Sequence, residues 1–271
     1  MKAIVSLISD YDFIRYAFFA GMMITLCASL LGVTIVLKRL SMLGDGLSHI
    51  SFGAIAIASA IGVAPLKLAI PVASLASVAL FLLSGKKMKG DSGIAVISTG
   101  ALSIGILVIS YTGSGADMNN YLVGSLYSVT KEDLILCVVL CIVVIFSFIF
   151  LYNKIFSITF DEDFSTSVGI KTRLYSCLIA VLTAITVVIG MQLMGALLIS
   201  ALIVFPALSA MRMYKSFFAV TLCSVIVSAV CFFAGFALTL VVDSVPTGAS
   251  IALVNLLMYV VFTFVSGVKK L

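Results

Sequence analysis

Long runs of apolar residues, separated by short polar connections, dominate this chain. A hydrocarbon layer about 30 Å thick needs roughly 20 apolar residues per helix. Nine runs have about that length: 16–37, 43–63, 66–83, 94–111, 134–152, 174–190, 193–211, 217–242 and 248–267. The joints at 62–65 and 190–192 are so brief that one pair could be partly re-entrant, giving eight. The pattern predicts an all-α polytopic membrane protein with eight or nine transmembrane helices.

The composition supports a membrane location and removes other classes of function. Of the 271 residues 63% are hydrophobic and only 10% are charged, so a water-soluble fold could not hide the apolar surface. The net charge of +5 comes from basic residues in short clusters between the apolar runs. Such clusters record orientation in a bilayer, so we expect no nucleic-acid partner. The six cysteines lie within the apolar runs, which is typical of core residues rather than of disulfides or a zinc cage.

The basic residues also predict the orientation, because short cytoplasmic loops retain Lys and Arg during insertion. With nine spans, the sparsely charged side carries Lys2, Arg15, Lys67 and Lys131. The N-terminus is therefore expected outside and the C-terminus in the cytoplasm. The strongly charged, cytoplasmic side collects Lys38, Arg39, Lys86, Lys87, Lys89, Lys154, Lys171, Arg173, Arg212, Lys215, Lys269 and Lys270.

Asp45 and His49 form the candidate functional site. They lie four residues apart at the head of the second apolar run, and His49 is the only histidine in the chain. Residues at this spacing share a helix face, so a carboxylate oxygen and an imidazole nitrogen can hold one divalent cation together. If the helix continues from Arg39, His49 lies about 15 Å deeper, near the midplane. A site with two ligands is weak and open, which suits a transport path.

A purely structural role for the pair is the alternative. Asp45 would then pair with His49 or Arg39 at a helix start, without any ligand. Ionisable side chains within a membrane are costly, and an apolar residue would serve packing better. The position of the pair within an apolar run therefore favours a functional site, while composition alone leaves both interpretations open.

The segment around this pair resembles a known family. Residues 39–54, with their Gly-Asp-x-x-Ser-His element, are similar to the signature of permease subunits of zinc, manganese and iron ABC importers, the ABC-3 family. Later landmarks occur in the same order: 121–126 followed by Glu132 and Asp133, the run 194–210, and 246–248. Gly46 and the Ser51-Phe52 pair depart from the usual pattern and affect packing more than ligation. The resemblance covers nearly the whole chain.

This resemblance implies a fold like that of type II ABC importer permeases, with residues 1–271 as a single transmembrane permease domain in the bacterial inner membrane. It implies that Asp45 and His49 line the path and contact a transported zinc, manganese or ferrous ion. It also implies a second permease copy, a cytoplasmic ATPase dimer and an extracytoplasmic solute-binding protein. The chain has no Gly-x-x-x-x-Gly-Lys-Ser/Thr loop, so we expect no catalytic role and no resident cofactor.

Residues 159–170 predict a short amphipathic helix on the cytoplasmic side. Phe160, Phe164 and Val168 recur at four-residue intervals, and Gly169 suits the helix end. Asp161, Glu162 and the neighbouring Asp163 fall in the first turn, where the helix dipole favours acids. The pattern alone leaves a coupling helix for an ATPase and an idle interfacial helix equally open. The family resemblance favours the coupling helix.

Other transport mechanisms remain as alternatives at this point. An ion-coupled secondary carrier would work without an ATPase, and a permease for a metal chelate such as a siderophore would share the ATP-driven mechanism. An intramembrane enzyme is disfavoured, because hydrolytic metal sites usually use three protein ligands and the chain has a single histidine.

Overall fold

A computed structural model describes residues 11–84, 90–112, 124, 129–241 and 245–268. Helices make up nearly all of this part of the chain, and it contains no strand, which confirms the all-α class. The cluster at Lys86, Lys87 and Lys89 and the landmark 121–126, apart from Gly124, lie outside the described residues. In chain order the helices are α1 (Asp12–Leu37), α2 (Leu43–Ala60), α3 (Pro65–Ser84), α4 (Gly90–Thr112), α5 (Lys131–Phe150), α6 (Tyr152–Phe160), α7 (Glu162–Ser167), α8 (Thr172–Met194), α9 (Ala196–Met213), α10 (Phe217–Val241) and α11 (Thr247–Val268).

The number of membrane spans is lower than the predicted eight or nine. Seven of the described helices are long and apolar enough to cross a bilayer: α1, α4, α5, α8, α9, α10 and α11. The difference lies in α2 and α3. Helix α2 has 18 residues and carries Asp45 and His49. Helix α3 has 20 residues, but its side chains are described only over Pro65–Phe81, a stretch shorter than a span requires.

The corrected count leaves the predicted orientation unchanged. Helices α2 and α3 follow one another, so the chain returns to the same side whether both cross the bilayer or both turn back. In the predicted orientation Lys38 and Arg39 therefore stay on the side shared with the later basic clusters. Only the position of Lys67, between the two helices, depends on the choice.

Glycines set the packing of α2 in the compact unit that comprises Thr34–Asn119 and Phe146–Ile189. Helix α2 packs against both α3 and α4. A Cβ atom at Gly53 would lie 2.5 Å from the backbone oxygen of Ala101, and one at Gly105 would lie 2.9 Å from Cα of Gly53. The backbones of α2 and α4 thus approach as closely as small residues permit, which is typical of membrane helices.

The second compact unit comprises Met1–Val33, Asn120–Ile145 and Gly190–Leu271. Here α11 packs against α9 and α10. Because Gly235 has no side chain, the backbone of Ile251 can approach it closely. The rings of Phe18 and Phe236 lie 5.6 Å apart between centroids, and Phe232 and Phe236 are stacked at 5.8 Å. Aromatic packing of this kind adds to the stability that apolar burial supplies.

Gly53→Ala should destabilise the helix pair α2–α4 by about 1–3 kcal/mol, because the added methyl group overpacks a closed contact. Thermal unfolding of the detergent-solubilised protein should show a lower midpoint. Gly100→Ala is the matched control, since a Cβ atom there meets no other atom within 4 Å. Equal midpoints for the two variants would contradict the close packing.

Candidate functional site

A left-handed turn separates α1 from α2 and sets where the candidate site begins. Arg39 has φ +59, and the amides of Arg39 and Leu40 donate to the carbonyls of Val36 and Ile35, each at 3.0 Å. This pattern is the Schellman motif that ends helices. The condition of a helix continuous from Arg39 to His49 is therefore not met. Helix α2 begins at Leu43, so its rise to His49 is about 9 Å rather than 15 Å.

Asp45 lies in the first turn of α2. The first backbone amides of a helix lack partners within the helix and carry partial positive charge, so they favour a carboxylate at this position. The N-cap residue Met42 supplies no side-chain hydrogen bond. The helix start thus provides a favourable electrostatic environment for Asp45 in an otherwise apolar segment.

Asp45 and His49 meet as the sequence predicts. Nε2 of His49 lies 3.5 Å from Oδ2 of Asp45, and the exposed fractions of the two side chains are 27% and 53%. This separation exceeds the ordinary range for a hydrogen bond. Two ligands with bonds of about 2.0–2.2 Å to one tetrahedral zinc lie about 3.4 Å apart. The two atoms are therefore spaced as ligands of a shared cation would be.

The second ring nitrogen of His49 faces the interior. Its Nδ1 atom is buried and has no hydrogen-bond partner among the described residues. Nε2 is thus the nitrogen directed toward the carboxylate. Within the described part of the chain, no group of three or more His, Cys, Asp or Glu side chains could hold a metal. A cation at the pair would need water, backbone carbonyls or another chain to complete its coordination.

The predicted amphipathic helix is split in two. Helix α6 ends at Phe160, and α7 runs only from Glu162 to Ser167. Between them Asp161 has an extended backbone and accepts a hydrogen bond at Oδ1 from the amide of Phe164 at 2.8 Å, which makes it the N-cap of α7. The expectation of one helix containing both Phe160 and Phe164 is therefore wrong.

The apolar side chains of this segment remain exposed despite the break. The exposed fractions are 57% for Phe160, 63% for Phe164 and 63% for Val168. Gly169, with φ +87, closes α7 in a second Schellman motif. We call these three exposed side chains, Phe160, Phe164 and Val168, the docking face. The described part of the chain leaves each of them largely uncovered.

Lys38 is a functional candidate that sequence reasoning treated only as a topological marker. Its ammonium group lies 3.6 Å from Oε2 of Glu162 on α7 and donates a hydrogen bond to Oγ of Ser176 on α8 at 3.2 Å. Burial lowers the pKa of Lys38, and the nearby Glu162 opposes that shift. In the sequence, only the position of Lys38 directly after a long apolar run pointed to a special role. The sequence did not reveal its partners, Glu162 and Ser176.

Comparison with known proteins identifies the family. The model of the ABC 3 transport family matches residues 10–266. The chain belongs to the ABC 3 transport family. It is 32% identical over 246 residues to a probable metal transport system membrane protein of Thermotoga maritima, covering 90% of this chain and 87% of that protein.

One further relative and one solved structure match nearly the whole of this ABC 3 chain. The high-affinity zinc uptake system membrane protein ZnuB of Buchnera aphidicola is 30% identical, with 96% of this chain and 98% of that protein covered. The fold resembles that of PsaBC from Streptococcus pneumoniae, solved in complex with Fab, with a TM-score of 0.85 at 23% identity. That match covers 97% of this chain and 95% of the other. The similarity confirms the permease-like fold class.

Asp161→Ala should loosen the start of α7, because it removes the acceptor for the Phe164 amide. Loss of an N-cap costs about 1 kcal/mol, which corresponds to roughly fivefold faster exchange of that amide if local opening controls exchange. Hydrogen–deuterium exchange of the purified chain measures this. Asp161→Asn is the control, since it keeps a capping oxygen. Unchanged exchange in the alanine variant would contradict the cap.

Proposed function

We propose that this ABC 3 chain is the membrane permease of an ATP-driven importer that carries a divalent transition metal ion. The observation that carries the proposal is the Asp45–His49 pair at the start of a helix in an apolar bundle, with Nε2 and Oδ2 3.5 Å apart. A carboxylate supplies charge to the ion, and an imidazole selects transition metals over calcium or magnesium.

The pair suits passage of a metal better than its storage. Asp45 is half-exposed and His49 is partly exposed, so an ion can reach both side chains. Two protein ligands leave most of the coordination to water or to backbone oxygens, and an ion held in this way can leave again. Zinc, manganese and ferrous iron all accept one carboxylate and one imidazole. The names of the Thermotoga and Buchnera relatives, a metal transporter and a zinc uptake protein, support this cargo class.

A structural ion pair is the competing explanation for Asp45 and His49. The 3.5 Å contact is within the range of an ion pair and also matches two ligands of one ion. Nδ1 of His49 is buried without a partner among the described residues, and this disfavours both roles equally, because a metal-bound ring usually donates its second N–H. The geometry therefore fits both roles, and the names of the relatives favour the ligand role.

The proposed importer is an assembly in the bacterial inner membrane. Two copies of this chain, as one permease domain each over 1–271, would form the pore. An extracytoplasmic solute-binding protein would deliver the metal. ATP hydrolysis belongs to a separate pair of cytoplasmic ATPases. The basic clusters favour a cytoplasmic side for the C-terminus and the docking face, where those ATPases would act.

Asp45→Asn and His49→Ala should each reduce metal uptake by about 100-fold or more, because each removes one of two protein ligands and even outer partners of a metal site contribute 10–100-fold. Uptake of zinc, manganese and ferrous iron into proteoliposomes containing the full assembly measures this. Elemental analysis of the same samples identifies the cargo. Ser59→Ala, an exposed change at the far end of α2, is the control.

Uptake that survives both substitutions would contradict the proposed role of the pair. Uptake by the chain alone, driven by an ion gradient without an ATPase, would instead establish a secondary carrier. Uptake of a metal chelate but of no free ion would indicate a chelate permease.

Phe164→Ala should weaken binding of the ATPase subunits about 10-fold or more, as removal of a central aromatic anchor does at many interfaces. Metal binding by the Asp45–His49 pair should not change. Affinity measurements between purified permease and ATPase test this. The matched control is Phe218→Ala, because Phe218 is 64% exposed but belongs to the spanning helix α10. Equal loss of affinity in both variants would contradict a specific docking face.

A further inference from the structure

Lys38 joins the segment that carries the docking face to the start of the helix that carries the candidate metal ligands. Its side chain is only 11% exposed, although lysine is ordinarily a surface residue. The ammonium group meets Glu162 of α7 at 3.6 Å and Ser176 of α8 at 3.2 Å, and it lies 5.9 Å from the centroid of the Phe81 ring on α3. One cation thus contacts three helices of a single compact unit.

The two protein partners of Lys38 differ in kind. Ser176 is buried on the long helix α8, whereas Glu162 is 54% exposed on the six-residue helix α7. A short exposed helix moves more easily than a buried long one. Displacement of α7 would separate the ammonium group from its carboxylate and leave only the hydroxyl of Ser176. Because a desolvated charge without a counter-charge is unfavourable, we expect the Lys38 side chain to move with Glu162.

The backbone at Lys38 leads directly to the candidate metal site. Arg39, the next residue, holds the left-handed conformation that ends α1. The amide of Leu43 then donates to the carbonyl of Leu40 at 2.9 Å, and that of Gly46 donates to Met42 at 2.8 Å. The turn is thus bonded into the first turn of α2, where Asp45 lies. A shift of Lys38 therefore acts on the helix start that positions the carboxylate.

We propose that Lys38 is a positioning residue that couples movement of α7 to the geometry of the Asp45–His49 pair through its ion pair with Glu162. This inference rests on the proposed function, since it assumes that an ATPase acts on the docking face. It assigns no new metal ligand. Lys38 contacts neither Asp45 nor His49 and acts through the turn that precedes α2.

The test uses the full assembly in proteoliposomes and measures metal transported per ATP hydrolysed. Lys38→Met and, separately, Glu162→Gln should lower this ratio about fivefold or more, the lower range of coupling between linked sites. Equilibrium metal binding and ATPase association should stay near wild-type values. The double variant Lys38→Glu with Glu162→Lys restores opposite charges and should recover most of the ratio. Lys171→Met, a change at an exposed lysine of the same cytoplasmic segment, is the control.

The outcomes separate this inference from the proposed function. A wild-type assembly that moves no metal contradicts the proposed function. If the wild type transports and Asp45→Asn abolishes uptake, an unchanged ratio in Glu162→Gln overturns the role of the ion pair. That variant alters an exposed side chain, so the result does not depend on whether Lys38→Met folds. Loss in both single variants without recovery in the charge-swapped variant also overturns the inference, because it indicates packing rather than charge.

Discussion

A carboxylate and an imidazole within an apolar helical bundle need compensation that hydrocarbon cannot provide, and the start of α2 supplies it. Asp45 lies among the unpaired amides of the first helical turn, where the local field favours a negative charge. His49, one turn later, then faces that carboxylate at 3.5 Å. The left-handed turn at Arg39 determines where this helix starts. The position of the candidate site therefore depends on a chain reversal as much as on the two side chains.

The sequence predicted the parts of this protein that depend on local pattern. Apolar runs of membrane length marked the helices, and the spacing of Asp45 and His49 placed the two side chains together because residues four apart share a helix face. The pattern also predicted a short helix around Phe164 and its end at Gly169. Each of these features depends on neighbours close in the chain.

Features that depend on distant contacts or on an unusual backbone were missed. The helical rise to His49 was overestimated, because it was counted from Arg39 and a left-handed arginine has no reliable sequence signal. Phe160 was assigned to the wrong helix because the capping role of Asp161 competes with its role as a first-turn acid. The partners of Lys38 come from helices far along the chain, and pattern alone cannot pair them. Tertiary contacts decided the partners of Lys38, whereas local backbone geometry decided the other two cases.

The burial of Nδ1 in His49 leaves only the Nε2 side of the ring accessible at the candidate site. Because this nitrogen is buried, a metal ion held at the pair as proposed would coordinate Nε2, on the side where Asp45 lies. Of the two side chains, the more exposed carboxylate of Asp45 would be the easier for that ion to reach. A proton on Nε2 would occupy the lone pair with which the ring coordinates an ion.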